Sequence, residues 1–132
     1  MSHFSDIKTE IKNQAALVKA LERLGLKQVE VHTVPQTLQD FYKGQKQAHV
    51  IVRKEQTGIP SDIGFEKVNG FFVAHIDEYQ YQGRPCYNKE WQGKLTAYYG
   101  CELAKAELRS KGLNFIEEID EKNQEPRLRI LI

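Results

Sequence analysis

The chain has 132 residues, 19 of them Lys or Arg and 18 Asp or Glu, with a net charge near +1 and only two cysteines. That length suits a single domain spanning 1–132, which can bury about two thirds of its unfolded surface and needs no metal or disulfide to hold a core. The balanced charge sets up no long-range field toward nucleic acid or an anionic membrane. The opening is not leader-like, and no apolar run reaches the roughly 18 residues of a membrane span, so the cytoplasm or a plastid stroma is the expected compartment.

Ser5, Ile7, Thr9 and Ile11 alternate with Asp6, Lys8 and Glu10, the period-two pattern of a half-buried strand. Asn13 then offers a cap to a helix over 15–24, whose Leu17, Val18, Leu21 and Leu24 share a face before Gly25 stops it. Val29 and Val31 mark a second strand, ended by Pro35, which cannot donate to a ladder. Residues 48–52 form a third strand, and Ile63 with Phe65 a fourth, bounded by Gly58-Ile59-Pro60. Asn69-Gly70 predicts a type I′ hairpin into a fifth strand over 71–77.

Residues 78–89 read as an irregular connection. A long helix follows from about Asn88 to Lys111, stopped by Gly112, with Leu95, Tyr99, Leu103 and Ala106 as its buried stripe and a weak point at Gly100. Residues 115–119 and 128–132 close the chain as a hairpin whose turn ends at Pro126. The order β-α-β-β-β-β-α-β-β, with short connections, predicts an α+β fold: a curved antiparallel sheet of six to seven strands, with two helices packed on one face. The other face is left to water, a partner, or a second copy of the chain in a homodimer.

Motifs for nucleotide or ester chemistry are missing: no Gly-rich loop runs into Lys-Ser or Lys-Thr, and no Ser sits in Gly-x-Ser-x-Gly. His3, His32, His49 and His75 fall on four different predicted strands without the close ligand pair usual for zinc, so neither metal nor cofactor is expected. His75 and Asp77 point to the same side of a strand, an arrangement more typical of a solvated hydrogen bond than of acid–base catalysis. Cys86 and Cys101, with no second pair to complete a cluster, read as free thiols, a disulfide or redox pair being the alternative. The run 68–73 lacks the basic residue and aromatic alternation of an RNA-binding strand, so nucleic acid is not an expected partner.

One stretch concentrates the residue types of binding hot spots: Tyr79, Tyr81, Arg84, Tyr87 and Trp91. Two readings stay open for it, a protein-contact surface or a loop folded back to bury its rings.

Met1-Ser2-His3-Phe4 with Ile7-Lys8-Thr9, the helix ending in Leu24-Gly25, the pair Gly44-Gln45, and Asp62-Ile63-Gly64-Phe65 before Asn69-Gly70 together carry a likeness. On these residues the chain resembles the conserved chloroplast open reading frame thirty-five family of cyanobacteria and algal plastids, over roughly its first two thirds. The resemblance implies a small soluble protein of a photosynthetic organism, its plastid or a phage of one, and brings no activity or cofactor with it.

The expected function is therefore that of a non-enzymatic accessory or adaptor domain binding an unidentified protein partner. The alternative is a small-ligand binder or enzyme with a pocket between the open sheet face and residues 79–91, and RNA binding comes third.

Overall fold

The computed structural model describes residues 4–39, 46–78, 83 and 85–131. Its elements are β1 (Ser5–Lys8), α1 (Gln14–Arg23), β2 (Val29–Thr37), β3 (Gln47–Val52), the one-turn α2 (Lys54–Thr57), β4 (Ile63–Val68), β5 (Phe71–Ile76), α3 (Lys89–Ser110), β6 (Asn114–Ile119) and β7 (Pro126–Leu131). The fold is α+β, and every strand pairing is antiparallel.

The seven strands divide into two sheets, five in the order β1-β5-β4-β3-β2 and two as β6-β7. The sequence pattern does not show this division. β1 takes the place beside β5, so the terminal hairpin, arriving after a 22-residue helix, finds that edge occupied and pairs with itself.

Local chemistry accounts for most element boundaries. The Asn13 side chain accepts the Ala16 N–H at 3.0 Å and starts α1; Asn88 does the same for the Trp91 N–H at 3.1 Å and starts α3. Asn69 and Gly70 sit at φ of 52° and 84°, the left-handed pair that a type I′ turn requires. β1 is shorter than the alternation suggests. After Lys8 the chain leaves the ladder, although the Thr9 hydroxyl still donates to the Phe72 carbonyl and the Phe72 N–H to that of Ile11.

Pro35 does not end β2: the strand continues to Thr37 through a register shift between Val31 and Gln36. β2 is an edge strand, and at an edge a bulge absorbs the missing donor without breaking a shared ladder.

α1 and α3 pack on each other and on one face of the large sheet. Leu17, Ala20 and Leu21 of α1 and Leu95 and Tyr99 of α3 share a core with Val50, Val52, Ile63, Phe65, Phe72 and Ile76. α3 runs unbroken across Gly100, and its buried stripe departs from expectation beyond Tyr99: Cys101 and Glu102 turn inward while Leu103 is exposed. On the opposite sheet face a smaller cluster joins Phe4, Leu38, Ala48 and Ile51.

Candidate functional site

Of the five aromatic and basic residues singled out in the sequence, Tyr79, Tyr81 and Arg84 lie outside the described residues. Tyr87 is buried, its ring edge-on to Trp91 with centroids 4.9 Å apart and its hydroxyl donating to the Thr57 carbonyl. Burial pushes the Tyr87 hydroxyl above the usual phenol range. Trp91 is half-buried against the main core. These two rings close the sheet's helix-covered side where α3 begins.

The polar face of the sheet is organised by two side-chain networks. His75 is 3% exposed on β5, its Nδ1 2.8 Å from Asp6 on β1 and its Nε2 2.9 Å from Glu66 on β4, so one imidazole ties three strands together. Lys46 reaches the second Asp6 oxygen at 2.7 Å, and this contact, with His75 adding to it, holds the Asp6 carboxyl below its usual range. With both ring nitrogens engaged, His75 presents no free nitrogen to a substrate. His32 pairs with Glu30, the His49 ring accepts the Lys67 N–H, and His3 lies outside the described residues.

The second network is centred on Asp62, whose side chain is fully buried. It accepts the backbone N–H groups of Gln39 and Lys54 at 2.8 and 2.7 Å and an Arg53 N–H at 3.0 Å. Arg53 also grips Glu30 through two parallel bonds of 2.9 and 3.1 Å, which holds the Glu30 carboxyl below its ordinary value. Asp62 thus fastens the end of β2, the α2 turn and the start of β4 in one place.

The third cluster lies between α1, α3 and β6. Cys101, Glu102 and Glu117 bring ligand atoms within 4.8 Å of one another, the one such group among the described residues. Arg23 bridges Glu102 at 3.0 Å and Glu117 at 2.7 Å, while Lys105 reaches the same two carboxylates at 3.1 and 3.0 Å. Two cationic side chains therefore hold the position a metal ion would take. Burial raises the Cys101 thiol, and its bond to Glu117 at 3.0 Å raises it further, which disfavours thiolate chemistry. Burial alone would raise Glu117, but hydrogen bonds from Cys101, Arg23 and Lys105 outweigh it and bring the carboxyl to about 2. Cys86 and Cys101 are both free thiols.

That ionic cluster fastens the β6–β7 hairpin to the helices, and among the described residues the hairpin and the residue before it carry the largest group of exposed aliphatic side chains. Leu113, Ile116 and Ile119 stand exposed on the β6 side, and Ile130 and Leu131, each 48% exposed, on β7. Ion pairs between Glu118 and Arg129 and between Asp120 and Arg127 border them. The sequence showed the hairpin but not its exposure. Its one signal was that both strands interleave isoleucine with charge, a pattern that reads equally as a strand buried on one face.

A family model described as "Protein of unknown function (DUF1257)" matches residues 20–129. The chain is also 31% identical over 128 residues to "Uncharacterized protein ycf35" of Cyanophora paradoxa, an alignment covering 97% of this chain and 94% of the other. The likeness therefore runs through the C-terminal third instead of stopping two thirds along. No solved structure matches significantly.

Proposed function

The chain belongs to the DUF1257 family of proteins of unknown function, and from that premise we propose that it is a non-enzymatic accessory protein of a photosynthetic organism, its plastid or a phage of one, acting by protein–protein binding. One observation carries the reading: four large aliphatic side chains stand exposed on a two-stranded sheet, with Leu113 exposed just before it. The four lie on both faces of the hairpin, Ile116 and Leu131 on one and Ile119 and Ile130 on the other, and exposed aliphatic side chains set among charged ones are a surface that a partner can cover. An isolated hairpin is marginal in water, and here Arg23 of α1 and Lys105 of α3 hold it through Glu117, while none of its residues enters the main core. The titratable clusters support a non-enzymatic role, because each satisfies itself internally. No helix among the described residues is long and apolar enough to cross a membrane. Trp91, with Tyr79, Tyr81 and Arg84, is proposed from residue type as a second contact region.

Ile130→Asp places a charge among the exposed side chains of β7, at a residue that belongs to neither buried cluster. Native mass and co-purification of the wild type and this variant test the reading. A stoichiometric polypeptide partner, either another protein or a second copy, should accompany the wild type and be lost from the variant. A wild type that is a bare monomer at cellular concentration would overturn it.

A further inference from the structure

A cleft of about 310 Å3 opens between the edge strand β1 and the first half of α3, on the helix-covered side of the large sheet. Its floor is Ile7, Phe65, Ala74 and Ile76, and α3 supplies Gly93, Leu95 and Tyr99 as a wall. The lining is mostly apolar and lies at the lower end of the sizes that small-molecule sites occupy. Water filling it would find few partners, so an apolar group displacing that water gains affinity.

Two features mark the cleft as more than imperfect packing. The Tyr99 hydroxyl accepts two backbone N–H groups, those of Lys12 and Asn13, each at 3.0 Å. Its lone pairs are thereby used, while its own proton has no acceptor among the described residues. The second feature is Gly93, which lies inside a helix where glycine costs about 1 kcal/mol relative to alanine. A Cβ there would meet nothing within 4 Å. Gly93 is therefore not required by close packing, and it stands at the exposed edge of the cleft lining.

We infer that this cleft binds a small apolar molecule bearing one carbonyl group, whose oxygen accepts the Tyr99 hydroxyl proton while its hydrocarbon body lies on Ile7, Phe65 and Ile76. The charged rim residues, Lys8 and Glu10, are of opposite sign and give no net preference for an ionic head, which favours a neutral ligand. This site is separate from the hairpin surface and stands or falls independently of it.

The probe pair 1-tetralone and tetralin tests the inference on the full-length protein, since the two share a bicyclic body and differ in the carbonyl. Titration followed by methyl NMR should show saturable shifts of Ile7, Ile11, Ile76 and Leu95 with tetralone, and roughly tenfold weaker binding of tetralin, the equivalent of one ordinary hydrogen bond. Gly93→Leu should abolish binding of both compounds. Gly100→Leu, which changes another open glycine of the same helix outside the cleft, should leave binding intact. Absence of saturable shifts, equal affinity for the two compounds, or undiminished binding to the folded Gly93→Leu protein would each overturn the inference.

Discussion

Gly64 shows how a single position can be fixed by what lies across the sheet. A Cβ built there would stand 2.6 Å from a Leu38 methyl and 2.7 Å from the Ala48 Cβ. Leu38 could rotate, but it is itself buried with Phe4 and Ile51, and the Ala48 Cβ cannot move without its backbone. Gly64→Ala is accordingly expected to destabilise the fold by about 1–3 kcal/mol, as overpacking of a filled core does. The double change Gly64→Ala/Leu38→Val should recover part of that loss, because valine is shorter and lacks both δ-methyls that stand in the way. Urea unfolding of the wild type, both single variants and the double variant measures this, and additive losses would show that Leu38 is not the obstacle. The same geometry explains three of the four residues in Asp62-Ile63-Gly64-Phe65. Asp62 fastens three backbone segments, Gly64 admits Leu38, and Phe65 fills the main core. The motif was visible in the sequence, but its meaning was not, since Leu38 and Gly64 are neighbours only once β2, β3 and β4 are in register.

At the scale of elements, the readable parts were those with local causes. The α1 and α3 caps, the Asn69-Gly70 turn and the Gly25 and Gly112 stops all depend on residues within a few positions of each other, so one sequence suffices to find them. The course of β2 beyond Pro35, the inward turn of Glu102 and the separation of the hairpin depend on distant partners, which periodicity does not encode. Glu117 illustrates the last case: it reads as a solvent-facing strand residue, yet it carries the hairpin's attachment to Arg23 and Lys105. Its carboxyl titrates near 2 when folded against 4.5 as the ordinary value. The stabilisation it gives is therefore complete above about pH 4.5 and is lost as pH falls toward 2. Glu117→Gln should cost about 2 kcal/mol at pH 6, the range for hydrogen bonds to a charged group. The gap to wild type in urea midpoints should then shrink on acidification through that window. A gap that stays constant from pH 6 to pH 2.5 would show that Glu117 acts by shape and not by charge.

The molecule as a whole is asymmetric in where its stability resides. The main core draws on α1, the five-stranded sheet and the first half of α3, and its last residue in the chain is Tyr99. Nothing from β6 or β7 enters it; the hairpin is joined by ion pairs and by the Arg109 guanidinium 5.4 Å from the Phe115 ring centre. A chain ending at Gly112 should thus keep a cooperative fold. Its buried carboxylate at Glu102 would retain both cations, Arg23 and Lys105, so truncation leaves no orphaned charge in the interior. The removal exposes Cys101 and takes away an acceptor that holds its thiol proton, so alkylation of that thiol should quicken in the truncated chain. Thermal melting followed by near-ultraviolet circular dichroism, with alkylation rates measured alongside, checks both expectations. A single transition at a lowered midpoint, with faster Cys101 modification, would establish the hairpin as an appendage on a self-sufficient core. That result would also give the protein-binding proposal its cleanest control, a folded chain lacking the exposed aliphatic surface. Loss of cooperative melting would mean instead that the hairpin is needed to hold α3 on the sheet, and its exposed side chains would then have to be tested by point changes alone.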